Sequence, residues 1–558
     1  MKITVSELIV RFMERLGIDH IFGMPGAHIL PVYDSLYGST IKSILAKHEQ
    51  GAAFMAGGYA RASGKISACI STAGPGATNL ITGVANAYVD KQALLIITGE
   101  TPTHIFGKGG LQESSGEGGS IDQNALFSSI TRYCKLVERT DYLANVLNRA
   151  AKILLSDISG PVLLSFPFNI QKEMVDETIL DDIKMTSRQQ YPDVIAIDAL
   201  SQLIVDAHAP IIVAGNGCLV SGAQSQVAQL SEMMNIPVTS SLKGKGVVCE
   251  LSTLSLGCLG VTSYGGAYHY IIEQADLIIF LGAGFNERTS YVWNEKLLKN
   301  KKIAQIDNNI EQLEKVFKAD VAILGDIKTV LQRLNSDLSE KLYSQKIASK
   351  KLIKTLKKYQ ASNDDSELKN MLELRQRFPL VAHFFQQLEH YFPKNIMLFD
   401  DNIIFAQNFF RVSADNCYYP NSGVSSLGHA IPAAIGARFA IQKPVFAIIG
   451  DGGFQMCCME IMTAVNYQLP ITIIMFNNST MGLIRKNQFQ QYDERYINCD
   501  FINPDYELLS RSFGIHYFTI KNEHELNGLL GRIDCQQGIN LIEIMIDKDV
   551  FPGYISNR

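Results

Sequence analysis

Short, unbroken apolar runs alternate with segments of helical period along the whole chain. The clearest are KISACIST, ALLIITG, GPVLLSF, APIIVAG, DLIIFLGA, IAQID, VFAIIGD, ITIIMFN and LIEIMI. They are rich in β-branched residues, as expected of parallel strands buried on both faces. Helix-length segments fall between most of them, which is the βαβ rhythm of a doubly wound sheet. The opening MKITVSELIVRFMERLG spaces its charges through an apolar pattern and predicts an amphipathic first helix, not a signal peptide.

Two stretches interrupt the rhythm. Residues 171–193 are polar and charged, and residues 335–368 are Lys-rich and poor in strand formers. Both read as connectors over the surface, the second partly helical. They divide the chain into three blocks of ordinary domain size. The prediction is an α/β protein of three doubly wound parallel-sheet domains, spanning 1–175, 190–335 and 370–558. No short-period repeat or low-complexity segment is present.

Composition narrows the class. With 558 residues, 47% of them hydrophobic, the chain is packed and globular, which excludes disordered, collagen-like and small disulfide-scaffold readings. Fifty basic against 55 acidic side chains leave a net charge of -5, so there is no electrostatic footprint for nucleic acid. No apolar run reaches the roughly 18 residues that span a bilayer. Ten Cys are scattered without CxxC spacing, and Cys457 and Cys458 are adjacent and poorly placed to bridge. That usage fits buried thiols in a reducing compartment, and a cytoplasmic protein is expected.

The strongest chemical signal lies in the third block. One predicted strand ends in Gly450-Asp451-Gly452, and after a 24-residue spacer the next ends in Asn477-Asn478. Ligands gather at the carboxyl ends of strands in doubly wound sheets. Glycines there let backbone approach a phosphate, while an Asp and an Asn offer the hard oxygens that Mg²⁺ takes alongside phosphate and water. Either piece alone reads as a turn after a strand. Together, on successive strands, they are far more specific.

The GDG…NN pair resembles the thiamine-diphosphate signature of acetolactate (acetohydroxyacid) synthases, pyruvate oxidases and 2-oxo acid decarboxylases. GIDHIFGMPGAHILPVYDSL, KHEQGAAFMAGGYARASGK and STAGPGATNLITGVANAYVDKQALLIITGE resemble the pyrimidine-binding domain of the synthases. The likeness covers nearly the whole chain in the order pyrimidine-binding, central and diphosphate-binding domain. It implies an enzyme that uses thiamine diphosphate and Mg²⁺ on a small 2-oxo acid.

The resemblance also assigns residues. Glu49 would bond the cofactor's aminopyrimidine ring and promote its activating proton transfer, with Gln112 facing the substrate. Asp451, Asn478 and the carbonyl of Thr480 would ligate Mg²⁺. Pro25 and Gly26 would pack beside the pyrimidine, and Thr72, Pro75 and Asn79 would lie near it. Leu427 falls where the family has a bulky apolar prop for the bent cofactor, a position that is by default core filler. Ser425, Gly450, Gly452, Gly453 and Met481 complete the expected cofactor contacts, with Asn402 as the candidate contact to the diphosphate.

The chain also departs from the family. GMVRQWQ appears as GLIRKNQ, so Asn487 replaces a Trp and predicts a roomier acceptor side. FQE reads Leu111-Gln112-Glu113, and Arg132 stands at the Lys of the catabolic ITKY segment. In the central block AGNGC, LGCLG, GAGFNERTS and IDNN resemble flavin-domain segments, but the His of the MHG turn is absent and Gly284 replaces an Arg. FAD therefore stays open, with a structural role if carried, since carboligation needs no redox step. Arg288 is a candidate for a substrate carboxylate or the flavin, against an ordinary loop Arg.

The expected activity is decarboxylation of pyruvate and transfer of the acetyl unit to an acceptor carbonyl. The alternatives are a keto-sugar or other ketone acceptor, simple 2-oxo acid decarboxylation, or a binding protein on an inactive scaffold. Intact Glu49, Asp451 and Asn478 oppose the last. Since one cofactor must touch both Glu49 and Asp451, the resemblance further implies a homodimer or a dimer of dimers. The small-residue segment KHEQGAAFMAGGYA suits close helix packing, either between subunits or within the chain.

Overall fold

The structure, a computed structural model, describes residues 1–184, 192–263, 265–344, 356–360, 369–413 and 415–553. It contains three six-stranded sheets, and every strand pair within them is parallel. In the first, the strands lie in the spatial order Lys42–Leu45, His20–Gly23, Ser67–Ser71, Leu94–Glu100, Val162–Pro167 and Tyr133–Leu136. In the third the order is Cys417–Pro420, Met397–Asp400, Val445–Gly450, Thr472–Asn477, Asn540–Met545 and His516–Ile520. Counted within each domain both read 2-1-3-4-6-5, so the two domains share one topology. The central sheet reads 3-2-1-4-5-6, from Ser255–Cys258 through Pro210–Ala214 and Leu277–Leu281 to Val321–Leu324.

These orders locate the ligand ends. In an open α/β sheet the crevice opens where the winding direction reverses, at the carboxyl ends of the strands on either side. In the first domain those ends are Gly23 and Ser71, which lead into Met24-Pro25-Gly26 and Thr72-Ala73-Gly74. In the third they are Asp400 and Gly450, which lead into Asp401-Asn402 and Asp451-Gly452-Gly453.

The first and third domains share one hydrophobic core. Its centre is the contact of the helix Glu49–Ser63 with the helix Ala430–Ala440. Both are built of small residues, and their backbones touch. A Cβ on Gly58 would stand 2.0 Å from the carbonyl oxygen of Ala433, and one on Gly436 would stand 1.9 Å from that of Met55. The small-residue face of KHEQGAAFMAGGYA is thus used within the chain.

Two other expectations are refined. The N-terminal helix begins only at Val5, capped by the Thr4 hydroxyl, which accepts from the Glu7 amide. Ahead of it Lys2–Thr4 pairs antiparallel with Met174–Asp176, so the start of the polar 171–193 stretch is a strand tied to the first domain and not a free connector. In the second stretch the helix Ile327–Ser344 continues the central domain, and much of 345–368 falls outside the described residues. All ten cysteines are free thiols. Among the described residues no helix is long and apolar enough to cross a membrane.

Candidate active site

The site residues fall into two groups, one at each switch point. In the first domain, Glu49 opens the helix Glu49–Ser63, whose N-cap is His48; the His48 ring accepts from the Gln50 amide. Glu49 Oε2 accepts from Asn79 Nδ2 at 2.9 Å. Thr72 lies beneath Gly26, where a Cβ would stand 2.5 Å from the Thr72 Cβ, so only glycine fits. The Thr72 hydroxyl donates to Oε1 of Gln112 at 3.2 Å, and the His28 ring nitrogen Nδ1 lies 3.3 Å from the same oxygen. Burial holds the His28 ring below the ordinary imidazole pKa, which favours the uncharged ring beside Gln112. Pro25 and Pro75 are exposed at the rim.

Gln112 occupies the left-handed backbone region, with φ +55°. Its loop is held from below by two carboxylates. Glu113 accepts from the amides of Gly109 and Gly110, at 3.0 and 2.9 Å, and also from that of Gly107. Fully buried Glu100 accepts from the amides of Thr101 and Ser114. Asn402 (φ +69°), Ser425 (φ +61°) and Ser479 (φ +55°) share the same rare backbone geometry in the third domain. Non-glycine residues there are strained, and such strain persists where the surroundings over-determine it.

In the third domain a cavity of about 290 Å³ opens at the switch point. Asn402, Leu427, Gly450, Asp451, Gly452, Gly453, Asn478, Thr480 and Met481 line it, together with Asp401 and Ile484. The Asp451 carboxylate is buried; Oδ1 accepts from the Gly452 amide at 3.0 Å, and Oδ2 accepts from the Ser479 amide at 2.7 Å. Burial raises its pKa, and no cationic side chain among the described residues pairs with it. Of the two adjacent asparagines, Asn478 faces the cavity. Asn477 is buried and bonds Glu543 behind the sheet. Gly482 lies against the Asn478 side chain: a Cβ there would stand 2.8 Å from Asn478 Nδ2 and would push that side chain aside.

The donor set fits the cofactor that the motif implies. A buried carboxylate without a counter-ion is costly, and a divalent cation would supply one. One carboxylate, one amide oxygen and one carbonyl match the sparse protein shell of phosphate-bound Mg²⁺. Accordingly, no group of three or more His, Cys, Asp or Glu side chains suited to a metal occurs among the described residues. The Oδ1 of Asn402 is buried without a hydrogen-bond partner beside the same cavity, so a polar group is wanted there.

Three candidates lie apart from these groups. Arg288 donates to Oε1 of Gln407 at 3.3 Å, at the junction of the central and third domains. Ser425 is exposed outside the cavity lining, and Asn487 is half-buried one helical turn beyond Ile484, also outside it. The glycines of AGNGC are accounted for by packing: a Cβ on Gly215 would stand 2.1 Å from the Gly282 carbonyl, and one on Gly217 would stand 2.8 Å from Gly282 Cα. His28, Asp401 and Asn503 belong to the site but carry no motif of their own. His28 lies within FGMPGAHILP and Asp401 beside Asn402.

Comparison with known proteins agrees with this geometry. Profiles of the thiamine pyrophosphate enzyme N-terminal TPP binding domain, central domain and C-terminal TPP binding domain match residues 3–124, 197–334 and 402–544. A probable acetolactate synthase large subunit of Methanococcus aeolicus is 32% identical over 97% of this chain and 92% of its own. An acetolactate synthase large subunit of Lactococcus lactis is 31% identical over 97% and 92%, and an acetolactate synthase of Arthrospira platensis 29% over 99% and 96%. A chain with all three domain profiles in order, and the two half-sites at matching switch points, belongs to the thiamine pyrophosphate enzyme family.

Proposed function

We propose that the protein is a thiamine-diphosphate- and Mg²⁺-dependent carboligase that decarboxylates pyruvate and transfers the acetyl unit to an acceptor carbonyl, as the names of its relatives indicate. The observation that carries the reading is the pairing of half-sites: Glu49 with Asn79 at one switch point, Asp451 with Asn478 at the other. When bound, thiamine diphosphate supplies a nucleophilic carbon and an electron sink for the departing CO₂.

The chain's own residues have these proposed parts. Glu49 holds a proton at its free oxygen, with Asn79 fixing the other. Asp451, Asn478 and the Thr480 carbonyl would hold Mg²⁺, which would supply the positive charge that the cofactor's diphosphate needs. Leu427 and Met481 pack against the cofactor and exclude water. Gln112, braced by Thr72 and His28, bonds the substrate. FAD is given no chemical part, because the reaction transfers no net electrons to an outside acceptor.

We also propose that each site is built from two chains. Every residue lining the cavity comes from the third domain. The His48 amide beside Glu49 donates to Glu460 of that domain at 2.9 Å, but Glu460 does not line the cavity. The Glu49 carboxylate itself bonds only Asn79 among the hydrogen bonds of the described residues. Apolar side chains stand exposed beside both halves: Leu30 and Leu111 near the first, Met456 and Met459 just beyond the Asp451 turn. A two-fold partner would cover them and complete both sites.

The experiment is incubation with pyruvate, thiamine diphosphate and Mg²⁺, alone and with 2-oxobutanoate, larger ketones and keto-sugars, followed by product identification. Acetolactate or an acetyl adduct of an acceptor supports the reading. Acetaldehyde alone would make the protein a simple decarboxylase, and unconsumed pyruvate would remove the substrate assignment.

A further inference from the structure

One side chain downstream of both metal-site strands ties them together. Asn503 Nδ2 donates towards three oxygens: Asp451 Oδ2 at 2.9 Å, Asn477 Oδ1 at 2.8 Å and Ser479 Oγ at 3.2 Å. On its other side Asn503 Oδ1 accepts from Gln455 Nε2 and from the Tyr506 hydroxyl, each at 2.8 Å. Acceptors on one face and donors on the other fix the orientation of the amide.

The segment that carries Asn503 runs along the metal-site loop. Thr480 bridges antiparallel to Asp500, the Met481 amide donates to the Cys499 carbonyl at 2.7 Å, and the Phe501 amide donates to the Ser479 carbonyl at 3.1 Å. The Thr480 hydroxyl also donates to the Cys499 carbonyl, at 2.9 Å, which leaves its own carbonyl unconstrained by that bond.

The consequence lies in the Asp451 carboxylate. Its Oδ2 receives two donors, the Ser479 amide and Asn503 Nδ2, which occupy both lone pairs. Its Oδ1 receives the Gly452 amide, and the Asn478 amide also acts on the carboxylate, while Oδ1 has no side-chain donor. We infer that Asn503 is a positioning residue of the metal site: it fixes the rotation of Asp451 so that Oδ1 is the oxygen presented to the cation, and it holds the Asn477–Ser479 turn that presents Asn478 and the Thr480 carbonyl. The inference rests on the reading of Asp451 and Asn478 as Mg²⁺ ligands.

The test is a Mg²⁺ titration of thiamine diphosphate binding, followed by calorimetry, on the full-length protein and on Asn503→Ala. Loss of an outer-shell partner lowers metal affinity by roughly 10–100-fold, so the Mg²⁺ concentration at half-saturation rises by that factor. The apo protein still folds, with its melting temperature lowered by at most a few degrees because the hydrogen bonds of Asn503 are lost with or without metal, and excess Mg²⁺ restores kcat. If Asn503→Ala does not fold, Asn503→Ser is scored in the same way.

A Mg²⁺ midpoint equal to wild type overturns the role of Asn503. So does an apo melting temperature lowered by more than a few degrees with a kcat that excess Mg²⁺ fails to restore, because that describes a mere structural clamp. Wild-type protein that takes up no Mg²⁺ with thiamine diphosphate overturns the metal-site reading itself, and this inference with it.

Discussion

Asn79 holds one oxygen of Glu49, Oε2, at 2.9 Å and leaves the other open. The pair joins the opening turns of two helices, Glu49 at the start of one and Asn79 at the start of the second turn of the other, which leave the first sheet from different strands. Gly76 lies beside both Glu49 and Thr72: a Cβ there would stand 2.9 Å from Thr72 Cγ2 and in ordinary contact, 3.5 Å, with Glu49 Oε1. The carboxyl is thus held by Asn79 on one oxygen, and no hydrogen bond among those of the described residues occupies the other.

Replacing Glu49 by Gln keeps the size and the Asn79 contact within reach but removes the exchangeable proton. Turnover is expected to fall by about 10²–10⁴-fold, the span of general acid–base contributions. Binding of thiamine diphosphate with Mg²⁺, measured by calorimetry, is expected to stay within a few-fold. Near-normal turnover would remove Glu49 from the chemistry.

Asp451→Ala removes the sole carboxylate of the proposed metal site. Mg²⁺-dependent retention of the cofactor is expected to drop by more than about 100-fold, beyond the loss from an outer-shell change. Equilibrium dialysis with and without Mg²⁺ reads this directly. Tight retention in the variant would mean that the GDG turn does not hold the metal.

For the acceptor side, the cavity lining points to a different residue from the motif. Ile484 lines the cavity, while Asn487, one turn further along the helix Gly482–Gln491, does not. Ile484→Ala is expected to change the ratio of products from mixed acceptors by roughly 10–200-fold, the range for small changes in an apolar pocket. Asn487→Ala is expected to leave that ratio nearly unchanged. The reverse pattern in competition assays would return the acceptor pocket to Asn487.

Acid sensitivity should trace in part to His429. The ring is fully buried between Phe54 and Phe399, with Nδ1 unpartnered, and burial pushes its pKa down to about 3. Below the ordinary value near 6.5 the unfolded chain binds a proton that the folded chain refuses. Its stabilising contribution is therefore complete above pH 6.5 and is lost as pH falls towards 3, by about 2 kcal/mol at pH 5. Asp400 and Asp401, buried and raised to about 7 and about 6, act in the opposite direction, favouring the fold as pH falls. The comparison is therefore wild type against His429→Phe, by melting temperature at pH 7 and pH 5. The variant should lose less on acidification, and an equal loss would contradict the assignment.

Much of this was legible in the sequence where a strand is long and buried on both faces. VFAIIGD and ITIIMFN appear as Val445–Gly450 and Thr472–Asn477, with Asp451 and Asn478 just past their ends. Four-residue strands escaped the pattern. His20–Gly23 and Met397–Asp400 are fully buried, yet too short to stand out as runs, although they set both switch points. Edge strands such as Lys42–Leu45 are exposed on three of four residues and carry no apolar signature. Asn503 was invisible for a different reason: its role depends on a long-range return of the chain to the Asp451 turn, which no local spacing encodes.

The central claim is that Glu49 of one chain and Asp451 of another act on the same cofactor, and subunit complementation tests it most directly. Glu49→Gln and Asp451→Ala proteins, each inactive, are mixed under conditions that exchange subunits, and activity is followed. With sites shared across a two-fold axis, each mixed dimer holds one site with both lesions and one with neither, so activity returns to about half that of wild type per mixed dimer. No recovery, with subunit exchange demonstrated, would place each site within one chain and contradict the account.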